Sequence, residues 1–144
     1  VELHAPAAEL ARQNVGLHHL GQRVHVVEAD ACQWLAEQAG RWDLILTNPP
    51  YVDALDMQTL PEEYRHEPVL GLAADEDGLA LVHAFLPELP KRLTTDGVFL
   101  CEVGASASAL QPKYPELPIQ WLELPQGGEG VFLLTMLGVG NQTK

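Results

Sequence analysis

The stretch WDLILTNPPY, Trp42 to Tyr51, constrains the fold more than any other part of the chain. Leu44 to Thr47 form an unbroken run of strand-favouring residues, which is typical of a parallel strand buried on both faces. Pro49 and Pro50 cannot continue that strand, because proline lacks a backbone N–H and restricts the residue before it. We therefore predict a buried strand that ends abruptly, with Asn48 at its carboxyl end.

Short apolar runs alternate with helix-like segments along the first half of the chain. The pattern predicts a strand remnant at Glu2, a helix over residues 5–20 ending before Gly21, a strand at Val24–Val27, and a short crossover helix closed by Gly40. The strand at Trp42 follows. A long ordered loop is predicted over residues 52–75, which contain prolines and many acidic residues without a sustained period.

The second half continues the alternation and ends in two strands. We predict a helix from Gly78 to Leu93, with Asp77 as N-cap and a break at Pro87 and Pro90, then the strand DGVFLCEVG after a turn, and a short helix ending near Pro112. The runs IQWLEL and VFLLTML are predicted to pair as an antiparallel hairpin, with GGEG as a turn between them. This order is that of a doubly wound α/β fold.

Length and composition favour a single soluble unit. The 144 residues suffice for one domain, and 47% hydrophobic with 19% charged residues is typical of globular proteins. No apolar run reaches the roughly 20 residues that a membrane-spanning helix needs, and the first residues do not resemble a secretion signal. We therefore expect a cytoplasmic protein without membrane contact.

Net charge indicates the kind of partner, and the sequence around the cysteines indicates the state of their thiols. Twenty acidic and eight basic residues give a net charge of -12, which argues against direct DNA binding and favours a basic partner. Cys32 and Cys101 lie in apolar surroundings without metal-ligand spacing, so we expect buried, reduced thiols.

Three polar residues follow predicted strands and therefore identify a candidate site. Glu2, Asp30 and Asn48 occupy carboxyl ends of strands, where open parallel sheets bind their ligands, and we expect them to face one crevice. Glu102 lies at the next strand's end, where it either lines this pocket or contacts solvent at its edge.

The residues around Asn48 suit the binding of an NH2 group. The Asn48 side-chain oxygen and the Pro49 carbonyl can each accept one hydrogen of a primary amide or amine, and Tyr51 offers a flat face for stacking. Pro50 holds the extended turn. Such a grip suits methyl transfer from a sulfonium donor, because in-line displacement depends on positioning the nitrogen and on acceptors for its developing positive charge.

The other two strand ends suit the donor, S-adenosylmethionine. Glu2 can accept hydrogen bonds from both ribose hydroxyls, and Asp30 with the Ala31 amide can read the adenine edge.

Several segments resemble the protein-glutamine methyltransferases. The similarity is carried by NPPYVDALDMQTLPEEYRHEPVLGLAADEDGL, GVFLCEVG and WLELPQGGEGVFLLT, and it covers nearly all of residues 1–137. The chain looks most like the branch that methylates a glutamine of protein three of the large ribosomal subunit, and EYRHEP favours this branch over the release-factor enzymes.

The resemblance implies a class I, Rossmann-like methyltransferase fold, S-adenosylmethionine as donor, and Asn48 to Tyr51 as the glutamine clamp. It supports Glu2 for ribose and Asp30 for adenine, and it implies a ribosomal protein substrate. Members of the family carry a first strand and a Gly-rich, donor-binding turn immediately before the position of Val1, and a helical domain upstream.

We therefore expect residues 1–137 to be the C-terminal part of a catalytic domain, with 138–144 as a flexible tail. A sheet incomplete at its first strand should bind donor weakly and either rearrange or form a homodimer through its exposed edges. Three other functions remain open: a release-factor glutamine methyltransferase, a nucleic-acid adenine methyltransferase that grips an exocyclic amine, and a binding module without catalysis.

Overall fold

A computed structural model describes residues 1–49, 78–125 and 128–136. Within it the chain divides into two compact units, Val1–Gln38 and Ala39–Lys144. The predicted long loop, the N-cap Asp77 and the predicted tail lie outside the described residues.

The first unit contains two helices and one strand bridge. Helix α1 spans Ala5–Leu17, with Pro6 in its first turn, and α2 spans Ala31–Glu37. Glu2 and Glu28 form a parallel bridge, in which the Glu2 N–H donates to the Val27 carbonyl at 2.8 Å.

The end of α1 differs from the prediction that it continues to residue 20 before Gly21. The helix ends at Leu17, and His19 adopts a left-handed conformation with φ 55°. The Leu20 N–H then donates to the Val15 carbonyl at 2.9 Å, and the His19 N–H donates to the Gly16 carbonyl at 3.1 Å. These two bonds form a Schellman motif, so histidine takes the position where glycine is usual.

The predicted strand at Val24–Val27 is wrong in extent. The described residues of this segment form only the bridge at Glu28. β-branched residues favour a strand only where a neighbouring strand supplies a ladder, and here the pairing involves Glu2 alone.

The second unit is built on a four-stranded mixed sheet in the order β1-β2-β4-β3. The strands are β1 (Trp42–Thr47), β2 (Leu93–Glu102), β3 (Gln120–Leu122) and β4 (Val131–Thr135). Strands β1 and β2 are parallel, whereas β4 is antiparallel to both β2 and β3. The α/β class, the strand at Trp42 and the C-terminal hairpin are therefore confirmed. The predicted burial of the strand at Trp42 is wrong, because β1 forms one edge of the described sheet and none of its residues is buried.

A turn precedes the parallel part of β2, as predicted. Trp42 pairs with Leu93 and Leu44 pairs with Val98, so residues 94–97 bulge out of the ladder. The Asp43 carboxylate accepts a hydrogen bond from the Thr94 hydroxyl at 2.9 Å and thereby ties the bulge to β1.

The helices of the second unit are short. Helix α3 covers Ala80–Phe85 and α4 covers Leu89–Arg92, so the predicted break at Pro87 is confirmed. The predicted break at Pro90 is wrong, because Pro90 lies in the first turn of α4, where its missing N–H costs no helical hydrogen bond. The helix begins at Ala80, two residues later than predicted, because Gly78 has a φ of 68°. A 3-10 turn at Gly104–Ser106 then leads into α5, which spans Ala107–Lys113.

The core of the second unit lies on the face of the sheet that carries Phe99 and Phe132. Both rings are fully buried, and they meet edge to face with their centroids 5.9 Å apart. Phe85 from α3 contacts Phe99 in the same geometry at 6.3 Å. The sheet is therefore held to its helices by aromatic and aliphatic packing.

Candidate functional site

The predicted site residues fall into two groups in the structure. Glu2, Asp30 and Ala31 belong to Val1–Gln38, and Asn48 and Pro49 belong to Ala39–Lys144. Pro50 and Tyr51 lie outside the described residues. The common crevice stays a prediction, and each group is described by itself.

Asn48 lies directly after β1, at the carboxyl end of a parallel strand. It is exposed, and within the described part of the chain its side-chain amide makes no hydrogen bond. Pro49, in contrast, is buried. The exposed Asn48 amide meets one requirement of the clamp hypothesis, which also needs an accessible Pro49 carbonyl.

The neighbouring strand places Glu102 at the same edge of the sheet. The parallel register pairs Thr47 with Cys101, so Asn48 and Glu102 are the next residues on the two strands. Glu102 is half-buried. A carboxylate and an amide at adjacent strand ends are both acceptors for N–H groups, so Glu102 joins Asn48 as a candidate acceptor.

A backbone N–H at the start of α1 holds the Glu2 carboxylate in place. Its Oε1 accepts a hydrogen bond from the His4 backbone N–H at 2.7 Å, a short distance typical of a charge-assisted bond. This contact uses one carboxylate oxygen and leaves Oε2 for a ligand. A carboxylate in this state fits a ribose hydroxyl, which needs an acceptor.

Asp30 is the N-cap of α2. Its Oδ1 accepts from the Gln33 N–H at 2.8 Å, so one of its oxygens supports the helix. The other oxygen and the Ala31 N–H, which has no acceptor inside the helix, are the groups that can meet an adenine edge. Asp30 is exposed and is therefore accessible to such a ligand.

A second carboxylate, which the sequence analysis did not single out as a site residue, lies beside Glu2. Glu28 pairs with Glu2 across the strand bridge, and its Oε2 accepts a hydrogen bond from Arg12 Nη2 at 3.2 Å. Arg12 also lies 3.7 Å from Glu9. The guanidinium offsets the repulsion between two acidic residues at one edge, an arrangement that only knowledge of the strand register reveals.

The two cysteines are free thiols, as predicted. Burial, followed by the neighbouring Glu102 charge, raises the pKa of Cys101 to about 12. Burial and then the Asp30 charge also raise the pKa of Cys32, which is only half-buried. Neither thiol is poised as a nucleophile, because reactivity requires the thiolate.

Neither a metal-binding cluster nor a membrane-spanning helix occurs among the described residues. They contain no group of three or more His, Cys, Asp or Glu side chains arranged to hold a metal ion. They also contain no helix of the length and hydropathy that a membrane span requires.

The amino-acid sequence of this chain is similar to those of several known proteins. The ribosomal protein uL3 glutamine methyltransferase of Francisella tularensis subsp. tularensis is 42% identical to it over 135 residues, which is 94% of the chain and 42% of that relative. The proteins of the same name from Neisseria meningitidis serogroups A and B are each 42% identical over 135 residues, which is 44% of their length.

The chain is homologous to the uL3 glutamine methyltransferases. The resemblance found in the sequence is thereby confirmed. The chain spans less than half the length of these methyltransferases. No protein-family model matches it.

Proposed function

We propose that this chain is part of an enzyme that transfers a methyl group from S-adenosylmethionine to a glutamine side-chain amide in a ribosomal protein. The observation that carries the proposal is the 42% identity to three uL3 glutamine methyltransferases. An alignment of 135 residues leaves at most nine of the 144 uncovered, so it includes the stretch from Asn48 to Tyr51.

The clamp acts by positioning the substrate amide. The Asn48 side-chain oxygen accepts one N–H of the glutamine, the Pro49 carbonyl accepts the other, and Tyr51 stacks on the planar amide while Pro50 keeps the turn extended. Two acceptors localise the nitrogen lone pair and stabilise the positive charge that develops as the bond to carbon forms. The proton leaves after transfer, so no group with a tuned pKa is needed.

The donor supplies an activated methyl group on sulfur. In the proposed site Glu2 accepts from ribose, and Asp30 with Ala31 contacts adenine. The free Oε2 of Glu2 and the α2 N-terminus support these roles. The proposed fold is the class I, Rossmann-like sheet, and the parallel pairing of β1 with β2 is compatible with it.

The net charge and the proposed substrate indicate the partner and the location of the enzyme. A net charge of -12 suits a basic ribosomal protein and disfavours direct DNA contact. We propose a cytoplasmic enzyme without membrane contact, because a ribosomal protein is its proposed substrate. Residues 1–137 are proposed to belong to the catalytic domain.

The exposed edge of the sheet supports self-association of this chain. In β1, Leu44 is 56% exposed and Leu46 is 69% exposed, although the sequence is that of a buried strand. Unpaired apolar edges recruit other strands, so we propose a homodimer through β1. Sedimentation equilibrium tests it: a monomer at all concentrations would refute it, and Leu46→Lys should dissociate a dimer.

The clamp is tested by mass spectrometry of ribosomal proteins incubated with S-adenosylmethionine and the whole protein. Asn48→Ala should lower kcat about a hundredfold, the order of effect of removing one preorganised hydrogen-bonding group from an active site. Asn14→Ala, an exposed asparagine on α1, is the matched control and should leave the rate unchanged. Unchanged methylation by Asn48→Ala would refute the clamp.

The same assay with other substrates, together with a measurement of donor binding, distinguishes the three other functions. Methylation of a release factor in preference to ribosomal protein would indicate the release-factor enzyme. Methylation of adenine in DNA or RNA would indicate a nucleic-acid enzyme. Absence of donor binding would indicate a binding module.

A further inference from the structure

His4 carries a polar atom that the described part of the chain leaves without a partner. Its Nδ1 is shielded from solvent and has no hydrogen-bond acceptor or donor within reach. Buried polar atoms in folded proteins are nearly always paired, so each exception calls for an explanation. One such explanation is a ligand that supplies the missing group.

The usual structural role of a residue in this position does not apply to the His4 ring. His4 is the N-cap of α1, a position where Ser, Thr, Asp and Asn are preferred because their side chains accept a hydrogen bond from the first turn. The His4 side chain makes no such bond. The ring is therefore not used by the helix that it precedes.

The backbone of the same residue holds the carboxylate proposed to bind ribose. The His4 N–H donates to Glu2 Oε1 at 2.7 Å, which places the imidazole and the carboxylate in one neighbourhood. The adjacent acid, Glu28, is engaged by Arg12 at 3.2 Å. Glu2 Oε2 and His4 Nδ1 thus belong to two residues that are joined by a hydrogen bond at the start of α1.

A ribose presents two neighbouring hydroxyl donors, which matches two neighbouring acceptors. We propose that His4 Nδ1 accepts a hydrogen bond from one ribose hydroxyl of S-adenosylmethionine while Glu2 accepts one from the other, which makes His4 a specificity residue for ribonucleoside donors. This role requires the neutral tautomer that carries its hydrogen on Nε2, because Nδ1 is then the acceptor. The inference rests on the proposed function and adds a residue to its donor site.

The test measures binding of S-adenosylhomocysteine to the whole protein by isothermal titration calorimetry. His4→Phe keeps a flat aromatic ring and removes the acceptor, and it should raise the dissociation constant about two- to tenfold, the effect of one net hydrogen bond. His4→Asn retains an acceptor and should recover part of the loss. His25→Phe, an exposed histidine of the same unit, is the matched control and should bind as the parent does.

Deoxy ligands separate a ligand contact from a structural effect. The 2′-deoxy and 3′-deoxy analogues of S-adenosylhomocysteine each lack one hydroxyl. For the analogue that lacks the His4 partner, parent and His4→Phe should bind equally. For the other analogue, the difference between the two proteins should persist.

The outcomes distinguish this proposal from the proposed function. If the parent binds S-adenosylhomocysteine and His4→Phe binds equally well, the His4 proposal is refuted and the function stands. If His4→Phe weakens all three ligands by the same factor, its role is structural and the proposal is likewise refuted. If the parent binds no S-adenosylhomocysteine, the proposed donor and the His4 role are both refuted.

Discussion

The two compact units of the chain are stabilised by different kinds of contact. Ala39–Lys144 holds twelve of the fourteen buried apolar residues that the structure describes, whereas Val1–Gln38 holds only Ala8 and Leu35. The first unit also exposes Val1, Leu3, Leu10, Leu17 and Val24. Apolar packing therefore dominates the second unit, and the first depends more on individual polar contacts.

Several polar contacts of the first unit are local. They include the Schellman motif at His19, the Asp30 cap and the bond from His4 to Glu2. The residues proposed to bind the donor belong to this set. Segments with few buried apolar contacts open most readily, so ligand contacts and stability are expected to be coupled in the first unit and separable in the second.

The largest expected effect comes from the aromatic core of the second unit. Phe99→Ala should lower the free energy of unfolding by about 3–5 kcal/mol, because it removes a fully buried ring that contacts Phe85 and Phe132. Leu17→Ala, at a site that is 72% exposed, should change it by less than about 0.5 kcal/mol. Urea denaturation measures both, and equal losses would break the comparison.

A glycine in each unit gives the next contrast. Gly130 has a φ of 68°, and a Cβ there would overlap the Gly104 carbonyl oxygen. Gly130→Ala should therefore cost about 2–4 kcal/mol, from the left-handed backbone and from the clash. Gly16 in α1 has open space around it, so Gly16→Ala should stabilise by about 0.5–1 kcal/mol. Thermal unfolding that moves in the same direction for both would contradict this.

The Asp30 cap tests whether a single polar contact matters to the first unit. Asp30→Ala removes the acceptor for the Gln33 N–H and should destabilise α2 by about 1 kcal/mol. Hydrogen exchange should accelerate in residues 33–37 and remain unchanged in β2. Asp96→Ala, an exposed aspartate of the second unit, is the control. Acceleration spread evenly over both units would show that they open together.

The smallest expected effect is a pH dependence in the second unit. A hydrogen bond from Lys91 holds the pKa of Glu88 below its ordinary value, and Arg92 adds to this effect. The pKa of Glu88 is therefore lower in the folded protein than in the unfolded chain, where it is 4.5. The ionised Glu88 stabilises the fold fully above pH 4.5, and this stabilisation is lost as the pH falls through the pKa of the folded protein.

Glu88→Gln should therefore have a slightly lower melting temperature than the parent at pH 7, and the gap should close below about pH 4. Glu116→Gln, an exposed acid of the same unit, serves as the control. A gap that is constant from pH 7 to pH 3 would show that the ion pairs of Glu88 are irrelevant to stability.

Local sequence rules predicted much of the second unit. The strand ending before Pro49, the helix break at Pro87 and the pairing of the last two strands are all confirmed. Each follows from a short-range property, namely apolar periodicity or the missing N–H of proline. The position of Asn48 at a strand end was predicted in the same way.

Other features depended on contacts that no local pattern contains. The Val24–Val27 segment has strand-forming residues, but the described residues form only the bridge of Glu28 to Glu2. Gly130 was predicted as part of a turn. The turn pattern did not show that a side chain at Gly130 would clash with Gly104, which approaches from another segment. The contact of Arg12 with Glu28 likewise depends on residues that are far apart in the chain.

By itself, the sequence determined the order of the elements, the α/β class and the polar residues at the strand ends. Proline, glycine and apolar spacing act within a few residues, so these features can be read without the fold. Only the tertiary structure decided which of the described polar atoms were bonded and which had no partner. That outcome depends on distances between residues far apart in the chain, such as the 3.2 Å from Arg12 to Glu28.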